Sequence, residues 1–250
     1  MDFPIFLLIL GVGLAAGFLN TVAGGGSLLT LPVLILAGLS PLVANATNRV
    51  AIAVQNVFSV AGFKSKGFFY PRYTGLLAVT ATMGSILGAK VAIDISGELF
   101  QRILAIVMIG VLCIIIFNRR WKWQPEKELL DWKHQWGGAI FFFFIGIYGG
   151  FIQAGVGFII MAMLNLYNGL DLVKTNSIKV GVVLIYTLAA LIVFALEGSI
   201  NWRYGFLLSI GNGVGGWLAS RWSVQKGEKW IRPILVVSIL AMAIKLLGFF

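Results

Sequence analysis

The chain of 250 residues is 59% hydrophobic and 11% charged, with a formal net charge of +10 from 19 Lys and Arg against 9 Asp and Glu. Soluble domains average about 45–50% apolar and about 25% charged residues, so an ordinary water-soluble fold is excluded and a bilayer is the solvent this composition suits. One cysteine, Cys113, and one histidine, His134, leave no internal disulfide and no transition-metal cluster, so neither a metal nor a cofactor is expected.

Apolar runs fall at 4–22, 27–39, 42–63, 73–93, 100–117, 137–168, 173–196, 202–220 and 231–250. Most approach the ~20 residues of a membrane-spanning helix. The start Met1-Asp2-Phe3-Pro4 lacks the positive stretch that opens a signal peptide, so the first run is expected to be retained. Two regions depart from the simple span. Residues 4–39 contain a break at Ala23-Gly24-Gly25-Gly26 followed by a short apolar segment, and residues 137–168 repeat this around Ala154-Gly155-Val156-Gly157. Short, glycine-interrupted segments predict broken or re-entrant helices.

The halves match at a constant offset of 131 residues. Ala23-Gly24 faces Ala154-Gly155, Gly26 faces Gly157, Asn45 faces Asn176, Arg72-Tyr73 faces Arg203-Tyr204, and Gly84 faces Gly215. Charge supplies the topology. The connector after the third run carries Lys64, Lys66 and Arg72, whereas its counterpart has only Arg203 beside Glu197. The next connector reverses the bias, with Asp94, Glu98 and Arg102 against Arg221, Lys226, Lys229 and Arg232. Opposite bias in equivalent loops predicts inverted repeats, with the basic loops cytoplasmic and both termini outside. The expected organisation is a first transmembrane repeat at 1–117, an interfacial connector at 118–136 and a second repeat at 137–250. The connector's Trp121, Trp123, Trp132 and Trp136 among Arg119, Arg120, Lys122 and Lys133 suit a segment lying against anionic headgroups. Flanking spans argue against nucleic acid as its partner.

All nine acidic residues lie in connectors or at run ends, which leaves a cation relay no intramembrane carboxylate to use. The polar residues inside the runs are neutral or basic. They cluster after each break, as Ala44-Asn45-Ala46-Thr47-Asn48-Arg49 and as Lys174-Thr175-Asn176-Ser177-Ile178-Lys179. A buried cation needs water, a partner or a ligand, and an anionic substrate meets that need. Helices starting at Gly25 to Ser27 and Val156 to Phe158 offer free N–H groups and a positive dipole end to an anion. The candidate binding set is therefore Asn20, Thr21, Gly24, Gly25, Gly26, Ser27, Asn45, Asn48 and Arg49 with Gln153, Gly155, Gly157, Asn176 and Lys179. Structural readings compete: Gly84 and Gly88 fit a helix-packing face, the asparagines fit interhelical bonds, and the two cations fit snorkelling. There is no HExxH, GxSxG or paired intramembrane aspartate, so an enzyme is not expected.

Gly17-Phe18-Leu19-Asn20-Thr21-Val22-Ala23-Gly24-Gly25-Gly26-Ser27, then Leu31-Pro32 and Ala44-Asn45-Ala46-Thr47-Asn48, resembles the opening signature of the TauE/SafE family of membrane permeases. Gly150-Phe151-Ile152-Gln153-Ala154-Gly155-Val156-Gly157 looks like that family's second motif, with Val156 and Phe158 where the first half has Gly and Ser. The resemblance implies an inner-membrane, all-α polytopic transporter of about eight spans that exports sulfite or a small organosulfonate. A same-fold transporter of another solute and a non-transporting membrane scaffold are the alternatives.

Overall fold

A computed structural model describes residues 3–104, 106 and 128–226. Most of the expected run at 100–117 with Cys113, the first half of the connector 118–136 and the expected run at 231–250 lie outside the described residues. Eight named helices follow in order: α1 (Phe3–Val22), α2 (Ser27–Leu36), α3 (Pro41–Lys64), α4 (Pro71–Asp94), α5 (Trp132–Phe151), α6 (Val156–Leu166), α7 (Leu172–Leu196) and α8 (Trp202–Lys226). Residues 97–104 are also helical.

Local chemistry sets the helix starts. Ser40 accepts from the Val43 amide ahead of Pro41, and Asp171 accepts from the Val173 and Lys174 amides. The ends that matter most are at the breaks. Gly24 and Gly155 hold φ of +88° and +72°, values L side chains rarely adopt, and each turns the chain from a long helix into a short one. Among the described residues, 5–22, Pro71–Asp94 and Leu172–Leu196 are long and apolar enough to cross a membrane. The short helices α2 and α6 have 10 and 11 residues. At ~1.5 Å per residue each reaches about half of a ~30 Å hydrocarbon layer.

Equivalent outward rows are apolar, with Val79, Met83 and Leu87 on α4 and Ile210, Val214 and Leu218 on α8 all 48–62% exposed. The inward faces carry small residues, a pattern that suits lipid outside and close helix contact inside. Two helix pairs use it fully. Gly84 and Gly88 of α4 pack on the α5 backbone at Phe143, Ile147 and Phe151, and Gly146 and Gly150 of α5 pack on Ala81 and Ser85; a side-chain carbon at Gly84 would fall 2.0 Å from the Phe143 carbonyl oxygen. Gly13 and Gly17 of α1 meet α8 at Gly211 and Asn212, and a carbon at Gly215 would fall 2.2 Å from the Leu14 carbonyl oxygen.

Each fourth helix thus packs on the other half. α8 lies against α1 and α3, while α4 lies against α5 and α7. Two bundles result, α1–α2–α3–α8 and α4–α5–α6–α7, joined mainly where α3 meets α7. The packed units are therefore not the two sequence halves. α3 and α7 run in opposite directions, because Thr47 accepts from the Asn201 amide at 3.0 Å while Ser177 donates to the Phe68 carbonyl at 2.8 Å. The start of α5 lies beside the end of α6, where His134 and Tyr167 rings are 5.4 Å apart. Asn168 ties this corner to Leu129 through two hydrogen bonds of 2.9 and 3.1 Å and accepts from Tyr73 at 2.9 Å, and Lys174 pairs with Glu128. The second broken segment thus returns to the end it came from.

Candidate functional site

The two breaks touch. A side-chain carbon at Gly24 would lie 2.5 Å from the Gly157 Cα, and one at Gly157 would lie 2.3 Å from the Gly24 Cα. Gly26 has the same tightness against its own helix hairpin, with 2.2 Å to the Ala16 carbonyl oxygen. Protein backbone fills the space that these glycines leave, so their first use is to let the chain approach itself.

Around that contact the halves exchange polar side chains. Arg49 of α3 is fully buried and reaches the last carbonyls of α5, with Nη1 donating to Gly149 at 2.9 Å and Nη2 to Gly150 at 2.6 Å. Its Nη1 also donates to Gln153 Oε1 at 3.3 Å, and the guanidinium sits 4.8 Å from the centre of the Phe194 ring. Asn45 adds a bond to the Phe151 carbonyl at 2.9 Å. Lys179 of α7 does the reciprocal work at the end of α1. Its Nζ donates to the Asn20 and Thr21 carbonyls at 3.1 and 2.9 Å and to Asn176 Oδ1 at 2.7 Å, while Asn176 Nδ2 donates to the Val22 carbonyl at 3.0 Å. Asn20, Thr21 and Val22 precede Gly149, Gly150 and Phe151 by the same 129 residues. Two corresponding clamps, one built on arginine and one on lysine, therefore cross the bundle interface in opposite senses.

The electrostatics follow from helix ends. The last carbonyls of α1 and α5 lack intrahelical partners and carry the negative end of the dipole, which a buried cation neutralises. The short helices α2 and α6 begin a few residues later with Gly26 and Gly155 at their N-caps and no side-chain cap. With the carbonyl ends covered, the uncapped starts of α2 and α6 and the two basic side chains set the field between the breaks. No carboxylate is buried among the described residues. The same set shows no group of three or more metal-binding side chains.

Side chains expected to share one site thus divide. Asn45, Arg49, Asn176 and Lys179 converge on the break carbonyls, and Gln153 accepts from Arg49 and donates to Thr187 at 3.4 Å. Asn48 accepts from Thr30 on α2 at 2.7 Å. Asn20 and Thr21 tie α1 to α3 instead, through Gln55 at 3.0 and 3.2 Å and Ser59 at 2.9 Å. Ser27 is the buried first residue of α2, directly after Gly25 and Gly26, and Gly155 is the N-cap of α6. Gln55, Ser59 and Thr30 escaped the sequence reading, although Asn45, Asn48, Ile52, Gln55 and Ser59 continue one stripe at helical spacing.

A family model described as Sulfite exporter TauE/SafE matches residues 9–246. The chain belongs to that family. It is 29% identical over 240 residues to the "Probable membrane transporter protein YfcA" of Escherichia coli strain K12, covering 94% of this chain and 87% of that one. A "Probable membrane transporter protein" of Haemophilus influenzae is 27% identical over 248 residues, covering 98% and 96%. The "Probable membrane transporter protein ORF9" of Sinorhizobium sp. is 26% identical over 237 residues, covering 93% and 88%. No solved structure matches. This TauE/SafE member is a helical membrane protein of a transporter family.

Proposed function

We propose that this protein is an inner-membrane permease that exports a small anion, sulfite or an organosulfonate, by alternating access. The observation that carries the reading is the pair of buried cations, Arg49 and Lys179, at two touching helix breaks with no buried carboxylate among the described residues. Their carbonyl partners stabilise them in place, and the positive charge left over is suited to an anion. Ser27, Asn45, Asn48, Gln153 and Asn176, with the amides around Gly24 to Gly26, Gly155 and Gly157, surround the cargo in this scheme. Asn20 and Thr21 support the wall behind it.

The reciprocal clamps and the opposed α3 and α7 support two inverted repeats of about eight spans, with the basic loops cytoplasmic and both termini outside. The moving bodies are the two mixed bundles rather than the sequence halves, since α1 with α8 and α4 with α5 are locked by backbone contact. Export of an anion from a negative-inside cell is downhill by about 2.3 kcal/mol per charge at 100 mV, so a uniporter suffices.

The test is flux of labelled sulfite and methanesulfonate in proteoliposomes, with and without an imposed potential. Wild type carries them faster when the potential favours anion exit, and Arg49→Ala reduces flux at least about tenfold. A wild type that carries a neutral or cationic solute instead identifies a same-fold transporter of other cargo. No solute flux at all identifies a scaffold.

A further inference from the structure

The two clamps differ in what they leave over. On the Lys179 side everything is engaged: three N–H donors have three oxygen acceptors, both ends of the Asn176 amide are bonded, and Ser177 donates to Phe68. On the Arg49 side three side chains keep an open atom. Arg49 Nε, Asn48 Nδ2 and Asn45 Oδ1 are buried without a hydrogen-bond partner among the described residues. All three residues are at most 1% exposed, and their spacing places them on one face of α3. The Tyr186 hydroxyl, also without a partner, lies alongside, because a side-chain carbon at Gly149 would sit 3.0 Å from its oxygen.

The face has a definite location. Asn48 is held by Thr30, in the first turn of α2, and Arg49 and Asn45 are held by the last carbonyls of α5. It therefore lies between the uncapped start of α2 and the end of α5. Buried polar atoms ordinarily find partners, and several open ones on a single helix face mark a place where a ligand completes the set.

We infer that the anion seat is one-sided: the Asn45, Asn48 and Arg49 face beside the α2 start binds the cargo, while the Lys179 and Asn176 clamp only positions the α1 end. This rests on the permease reading above and narrows it. The open groups comprise two donors, one full positive charge, one acceptor and the Tyr186 hydroxyl, which donates or accepts. An oxyanion that still carries one proton matches them, its bare oxygens toward Asn48 Nδ2 and Arg49 Nε and its hydroxyl toward Asn45 Oδ1. Hydrogensulfite has that form. Methanesulfonate has the oxygens without the proton.

The experiment measures KM and Vmax for sulfite and methanesulfonate with the full chain in proteoliposomes, alongside thermal unfolding in detergent. Asn48→Leu raises KM for both anions at least about tenfold, the loss expected for a hydrogen bond to a charged ligand. Asn48→Ser, which keeps a hydroxyl for Thr30, repeats the effect if the leucine variant does not fold. Asn45→Leu raises KM for sulfite alone. Lys179→Met lowers the unfolding temperature and Vmax, with the KM of the remaining flux within about twofold of wild type. The inference is overturned if wild type carries both anions and the Asn48 variants leave KM unchanged, or if Lys179→Met raises KM as much as they do. A wild type neither carrying nor stabilised by either anion overturns the permease reading itself, and the seat with it.

Discussion

The two breaks are built from the same parts and finished differently. At each, a cation and an asparagine from the third helix of one half hold the last carbonyls of the first helix of the other. Lysine does this with a compact ammonium whose three donors are all engaged. Arginine does it with a planar fork that reaches two carbonyls and Gln153 and still has Nε in reserve. The lesson is that a buried charge in a transporter core is not by itself a ligand contact. In the proposed one-sided seat, its other bonds decide whether it serves the cargo or the fold.

The comparison breaks most severely at the contact between the breaks. Gly24→Ala meets both a forbidden φ of +88° and backbone within 2.5 Å, whereas Gly157→Ala meets only the backbone. Both lie at or beyond the top of the ~1–3 kcal/mol range for overpacking, with Gly24→Ala the worse, as yield of folded protein and unfolding temperature in detergent would record. Next come the cations. Arg49→Met and Lys179→Met each strand two buried carbonyls and lower stability by about 3 kcal/mol, a similar loss on both sides despite the difference expected in affinity. Similar loss with equal affinity change would erase the distinction between the clamps.

The asparagines sharpen it. Asn45→Leu removes one bond, to Phe151, and costs about 1–2 kcal/mol. Asn176→Leu also removes the third partner of Lys179 and costs roughly 1 kcal/mol more in the same unfolding measurement. The smallest effect lies far from either break. The exposed Asp131 carboxyl accepts from His134, which holds its pKa below the usual value. That pair supports folding above pH ~4 and less as the pH falls through the lowered value, so His134→Ala changes the unfolding temperature slightly at pH 7 and not at all at the most acidic pH tested.

Much of the core was legible before any coordinates. The offset of 131 residues predicted that Asn45 and Asn176 are counterparts, and the glycine runs predicted where long helices stop. Gly84 and Gly88 were readable as a packing face because small residues at i and i+4 admit a close neighbour. Their partner was not readable, since the α5 backbone at Phe143, Ile147 and Phe151 belongs to the other half. For the same reason the sequence halves suggested two packed units, and the packing groups α8 with α1 and α3 and α4 with α5 and α7 instead. Gln55 and Ser59 were missed because the polar stripe on α3 was followed only as far as Arg49.

By itself the sequence determined the solvent, the duplicated plan and the places where helices break, because composition, spacing and backbone freedom are local properties of a chain. Tertiary structure alone decided which carbonyls each buried cation meets and which atoms remain open. Those outcomes depend on packing between segments about a hundred residues apart or more, where a single bond made or left unmade leaves Asn45 with an open oxygen and its counterpart Asn176 with none.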